Sequence, residues 1–201
     1  VFAVEGGPDD VARIHPEDAV EWRGWLAQHH STSPGVWLVT WRKAAGRPVL
    51  VYEAHVREAL CFGWVDSLPR ALDEERTMLY YAPRKPSSAW SGPNKRRVEE
   101  LEAAGLMAPA GAAAVARARS DGTWTMLDAV ERLEVPEDLA AAFDRHPGAR
   151  AQWDAFPPST RRGILEWIVQ ARRAETRASR VEATADKAAR GERANQWRPR
   201  K

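Results

Sequence analysis

Five prolines, Pro93, Pro109, Pro136, Pro147 and Pro158, punctuate the second half of this 201-residue chain. Each stands at or near the beginning of a segment of helical character. A proline is tolerated there because the first turn has no intrahelical acceptor for the N–H it lacks. Gly105 and Gly122 stand where two of those segments should stop, and glycine readily takes the left-handed backbone that ends a helix. The spacing therefore predicts a succession of short helices. The last carries Ile164, Leu165, Ile168 and Val169 on one apolar stripe.

The first half has a different rhythm. VFAV at the start reads as a short strand, and GGPDD breaks the chain after it. Pro16, Glu17 and Asp18 signal a helix start, and Trp22, Trp25, Leu26 and His29 share one face of the helix that follows. VWLVTWRK is β-branched and aromatic enough for a strand, with Trp37, Val39 and Trp41 on one face. Leu38, Thr40 and Arg42 fall on the other, and partly apolar faces on both sides place this strand centrally. Residues 52–61 read as a helix packed through Val56, Ala59 and Leu60 and ended by Gly63. Strands are expected at 64–72 and 77–82. The result is an α+β chain: a small, mainly antiparallel sheet with helices in residues 1–85, and a helical part, 86–184, packed on it. The basic tail, 185–201, lacks a periodic apolar face and is expected to fray. The βαβ alternation and glycine fingerprint of a dinucleotide fold are missing.

Charge and cysteine usage narrow the function classes. The formal net charge is only +2, yet residues 161–201 hold twelve Lys and Arg against five Asp and Glu. Such asymmetry can mark a nucleic-acid contact. Here the arginines are interspersed with alanine and glutamate and lack stacking aromatics, so a solvated helix face is the expectation. A single cysteine excludes an internal disulfide and fits a reducing cytoplasm. The opening VFAVEGGPDDVAR has neither a charged n-region nor a long apolar h-region, so no secretory signal is expected. No run approaches the roughly 20 apolar residues of a membrane span. The five histidines form no HxH or HExxH pattern and no CxxC is present, so neither a metal nor a cofactor is expected.

At ALCFGWVDS, PRKPSSAWSGPNKRRVEELEAAGLMAPAG and DGTW the chain resembles the YdeI/OmpD-associated family, often labelled bacteriocin-protection proteins. The resemblance runs from about Glu21 through Arg180. The family pattern falls on Trp37, Cys61, Gly63, Trp64, Asp66, Pro83, Arg84, Trp90, Ser91, Asn94, Gly105, Met107, Pro109 and Gly111. The chain departs from it at Gly92-Pro93, a stiffer pair than usual, and at Arg162-Gly163, where an aromatic residue is usual. The resemblance implies protection against a toxic peptide or envelope stress, with no reaction attached.

Several side chains in this stretch invite a functional reading. Cys61 falls at a predicted helix C-terminus, where the dipole disfavours a thiolate, and His55 does not face it; it reads as structural. Asp66 shares a strand face with Phe62 and Trp64, and a carboxylate beside indoles calls for a partner such as Arg84. Ser91 is a candidate helix cap, with Asn94 in the first turn and Arg84 and Lys85 just before. Free N–H groups at a helix start beside a guanidinium form a natural receptor for an anion. Ten tryptophans in 201 residues supply aromatic walls. The expected site is thus a tryptophan-walled pocket made by Trp37, Trp41, Trp64 and Trp90 with Asp66, Arg84, Ser91 and Asn94. It would hold a small organic molecule or an amphipathic peptide in a protective, non-catalytic role. The alternatives are a cofactor-independent enzyme with Asp66 as general acid or base, and nucleic-acid binding through the Arg-rich C-terminal segment.

Overall fold

A computed structural model of the chain describes residues 11–195. The expected VFAV strand lies outside them. The chain divides into two compact units: residues 1–88 with 93–124, and residues 89–92 with 125–201.

The first unit is α+β. Strand β1 (Arg13–Ile14) leads to helix α1 (Ala19–His29), strand β2 (Val36–Trp41), helix α2 (Tyr52–Cys61), and strands β3 (Trp64–Ala71) and β4 (Arg76–Pro83). Helices α3 (Gly92–Ala103) and α4 (Pro109–Asp121) follow. The sheet order is β1-β2-β4-β3, parallel between β1 and β2 and antiparallel elsewhere. Strand β2 is internal, as its two apolar faces require, and Val36 to Thr40 are all buried. Pro69 offers no N–H to a ladder and is carried on β3, at the edge.

Alternation along the strands separates two faces. Val36, Leu38 and Thr40 of β2 pair with Tyr81, Leu79 and Thr77 of β4, and this face carries α1 and α2. Trp37, Val39 and Met78 form a small apolar cluster on the opposite face. Asp18 caps α1 by accepting from the N–H groups of Val20 and Glu21 at 2.8 and 2.9 Å. Asp18→Ala should cost about 1 kcal/mol, read as a lower urea midpoint at unchanged slope. A full-strength midpoint would mean that water replaces the cap without loss.

The second unit is helical: α5 (Asp128–Glu131), α6 (Glu137–Arg145), α7 (Ala149–Ala155), α8 (Pro158–Val169) and α9 (Ala174–Ala189). Pro136 and Pro158 stand at helix starts as their missing N–H groups predict. Its core gathers around Trp153, with Phe143, Phe156, Leu139, Ile164 and Leu165. Order does not fade at Ala185. Ala185 and Ala188 are fully buried and Ala194 nearly so; beyond Val181 and Thr184 the packing face of α9 is made of alanine. A stripe of methyl groups gives little periodic signal, yet it lets helices approach closely.

Candidate functional site

The indoles of the first unit do converge, but they interlock. Trp22 stacks on Trp25 at 5.5 Å, Trp25 meets Trp64 edge-on at 5.8 Å, and Trp22 packs on Tyr81 at 5.4 Å. Their polar edges are used inside the core: Trp22 Nε1 donates to the His55 carbonyl and Trp64 Nε1 to the His30 carbonyl. Trp37 is buried on the opposite sheet face beneath the Arg70 guanidinium. Trp90 is buried as well, and with Ser91 it belongs to the second unit. Of the four tryptophans expected at a pocket, Trp41 lines a groove, while Trp37, Trp64 and Trp90 are each about 1% exposed.

That hollow is a groove of about 880 Å³ on the helix-bearing face of the sheet. Thr40, Thr77 and Leu79 form its floor, Val49 to Glu53 and His55 one wall, and Asp66, Ser67 and Pro69 the other; Trp41 and Lys43 stand at its mouth. The wall of β3 owes its shape to a bulge. Asp66 pairs with Tyr81 and Pro69 with Leu79, so Ser67 and Leu68 together oppose Tyr80. Asp66 itself precedes the bulge: its regular pairing with Tyr81 puts it on the face that carries α2, and the extra residue after it bends the edge strand.

Asp66 is half-buried. Its carboxylate accepts a hydrogen bond from the Tyr52 hydroxyl at 3.1 Å. The expected direct pair with Arg84 is not formed. Arg84 is buried and its backbone N–H donates to the Gly63 carbonyl. Burial pulls its guanidinium down to about 10, against the opposing pull of the Asp66 charge. Tyr52, at the first residue of α2, is pushed above the usual phenol range by burial and then by Asp66.

One helical turn further, His55 completes the wall. It is 5% exposed, stands edge-on to Tyr52, and shares a 2.6 Å hydrogen bond through Nδ1 with the Tyr81 hydroxyl. Burial depresses the imidazole to about 4, so it is neutral near pH 7. The Tyr81 phenol is itself driven well above its ordinary range by burial, so it keeps its proton. A phenol O–H is a stronger donor than a neutral imidazole N–H, so we assign Tyr81 as the donor to Nδ1, which puts the imidazole proton on Nε2.

The remaining candidates take structural roles. Cys61 is buried at the end of α2, and burial raises its thiol, opposed by Arg23; it is no nucleophile. Asn94 accepts from Arg97 Nη1 at 2.9 Å, and Arg97 in turn pairs with Glu53 at 2.8 Å, fixing α3 to the start of α2. Arg162, where the family pattern has an aromatic residue, pairs with Glu131 and Glu166. A second groove, about 640 Å³ between α6 and α9, has its charged rim consumed by the Arg177–Asp138 and Arg145–Glu182 pairs. Among the described residues no cluster of His, Cys, Asp and Glu is placed to hold a metal ion. No helix among them is long and apolar enough to cross a membrane.

Tyr52, His55 and Tyr81 escaped the sequence reading. The signal for two of them was present: residues 52 and 55 lie three apart on a predicted helix, hence on one face. Tyr81 becomes visible only through the strand register, which pairs it with Val36 and Asp66.

No curated protein and no solved structure matches the chain. Two family descriptions do. Residues 132–191, within the helical unit, match the family described as bacteriocin-protection, YdeI or OmpD-associated. Residues 14–114, which carry the sheet, the groove and the ALCFGWVDS and PRKPSSAWSGPN stretches, match a domain of unknown function, DUF8412. The chain belongs to the DUF8412 family, and residues 132–191 behind that domain are similar to the bacteriocin-protection, YdeI or OmpD-associated family.

Proposed function

We propose that the protein is a binding protein of protective role, holding a small organic molecule or a short amphipathic peptide in the groove beside α2. The observation that supports it most is the composition of that groove. Leu50, Val51, Leu79 and Pro69 supply apolar walls, while Asp66, Tyr52 and His55 gather polar groups at one corner. Apolar lining with a few convergent polar atoms is the usual makeup of a small-molecule site. The partial match to the bacteriocin-protection family favours a protective role over a metabolic one.

Native mass spectrometry of the purified protein tests this. A retained small organic adduct is expected, and Asp66→Ala should lower its occupancy about tenfold with little loss of stability. A protein that carries no adduct and shows no shift of groove amide signals against a fragment library would refute the reading.

A cofactor-independent enzyme is the second reading, favoured by the Tyr52–Asp66 hydrogen bond, which places a proton donor and an acceptor at the same corner. Asp66→Asn separates the two. Unchanged ligand affinity with product formation abolished would identify an enzyme. Nucleic-acid binding draws less support, because Arg162, Arg177 and Arg190 are held in ion pairs and Arg180 lies over Trp167.

A further inference from the structure

We infer that the polar corner of the groove recognises a compact amide edge, a primary carboxamide or a lactam, that presents an N–H and a carbonyl side by side. The inference rests on the binding reading above and names the chemistry of the ligand.

Two atoms at this corner have unspent hydrogen-bonding capacity of opposite sense. His55 lines the groove and is more than nine-tenths buried, with Nδ1 occupied by Tyr81 at 2.6 Å. Its Nε2 has no hydrogen-bond partner among the described residues. With Tyr81 assigned as the donor to Nδ1, Nε2 carries the proton and is a donor. Asp66 supplies the acceptor: the hydrogen bond to its carboxylate comes from Tyr52, onto Oδ2, and Oδ1 has capacity left. Tyr52 joins the two, edge-on to the His55 ring at 5.3 Å and bonded to Asp66 at 3.1 Å. Donor and acceptor therefore sit at one corner, on α2 and on the bulged edge of β3.

The surrounding charges limit what fits. Glu53, also in the groove wall, is taken by Arg97 and Arg57. Lys43 is exposed at the mouth, where water screens it. An anionic ligand would bring like charge to Asp66 and meet a neutral imidazole. A simple cation would satisfy Asp66 but would place a donor against the Nε2 donor. A trans peptide unit points its N–H and C=O in opposite directions, whereas a lactam or a primary carboxamide holds both on one edge. The apolar remainder of the groove, Leu50, Val51 and Leu79, takes the ligand's hydrocarbon body.

Four bicyclic probes of similar size test the assignment by amide chemical-shift titration: isoquinolin-1(2H)-one, its N-methyl derivative, 1-naphthoate and 1-naphthylmethylammonium. The lactam is expected to shift the amides of Thr40, Asp66 and Leu79. N-methylation, and separately Asp66→Ala, should each weaken it about tenfold, the usual scale for one well-placed hydrogen bond. Tyr81→Phe frees the His55 tautomer and should weaken the lactam and its N-methyl derivative alike, since the N–H is received by Asp66. Equal binding of the lactam and its N-methyl derivative, or tighter binding of either charged probe, would overturn the amide-edge assignment while leaving the groove a binding site. Shifts from none of the four would overturn the groove reading itself and this assignment with it.

Discussion

Gly111→Ala is expected to cost about 3 kcal/mol or more, which for a chain of this length lowers the melting temperature by roughly 6–12 °C. The reason is purely geometric. A methyl group at Gly111 would lie 2.1 Å from the Cys61 carbonyl oxygen, 2.6 Å from its carbon and 2.9 Å from the Leu60 carbonyl oxygen. All three are backbone atoms at the end of α2, so no side chain can rotate away. The same carbonyl of Cys61 accepts from the Ala108 N–H at 3.0 Å, one residue before α4 begins. Moving α4 outward to make room would break that bond and open the packing around Ala114 and Val115. Gly63, at φ +74°, also meets Ala114 and Ala110 across this contact. The PAG of GLMAPAG therefore has a definite meaning: Pro109 starts the helix, and Gly111 lets its first turn rest on the last turn of α2. Gly24→Ala and Gly163→Ala are the controls. Both glycines lie inside helices with open space where the methyl would go, so replacement should stabilise by about 0.5–1 kcal/mol. Thermal unfolding of the three variants decides it, and a Gly111→Ala protein melting with the wild type would mean that the two helices do not touch as described.

The same contact shows what a sequence can and cannot disclose here. Gly105, Pro109 and Gly122 were legible as punctuation, because their backbone chemistry restricts where helices begin and end whatever surrounds them. Strand β2 and the stripe of α2 were legible from apolar periodicity. Gly111 was visible as part of a pattern, but its reason was not, since the atoms it makes room for are fifty residues earlier. Tryptophan was misleading for a related reason. Abundance of indole predicts contact among indoles, and contact occurs at Trp22, Trp25 and Trp64. Whether those rings enclose a space depends on their complementarity, which composition does not carry. The groove lies instead where β3 ceases to run straight, with Asp66 facing α2 through its regular pairing with Tyr81, just before the bulge at Ser67 and Leu68. Asp66 was identifiable as an unusual carboxylate. Its partner was not: Arg84 was the partner expected, and only the packing of α2 against the sheet brings Tyr52 to the carboxylate.

Lowering the pH from about 6.5 toward 4 should remove on the order of 3 kcal/mol of stability through His55 alone. The folded imidazole is held at about 4 by burial, below its ordinary value of 6.5. Between those limits the unfolded chain binds a proton that the folded chain refuses, so unfolding gains free energy as the pH falls. The contribution is fully present above about pH 6.5 and declines by roughly 1.4 kcal/mol per pH unit below it. Carboxylates do not produce this window. Glu53 is lowered by its hydrogen bond to Arg97, and its stabilisation is lost only as the pH falls below the ordinary carboxylate value near 4.5. Urea denaturation at pH 7.5, 6.5, 5.5 and 4.5 therefore separates the two. His55→Gln keeps an acceptor for the Tyr81 hydroxyl but cannot titrate. It should be less stable than the wild type at pH 7.5, and its stability should change little down to pH 5. Parallel decline of the two proteins across that range would show that His55 is open to water and free to charge. The result bears directly on the groove. Only a histidine that refuses its second proton can keep Nδ1 as the acceptor for Tyr81 and Nε2 as the donor facing a guest. A charged imidazole would donate from both nitrogens, break the 2.6 Å bond to the phenol, and place a cation beside Asp66. The acid lability of the fold and the selectivity proposed for its groove would thus be two readouts of one buried, neutral ring.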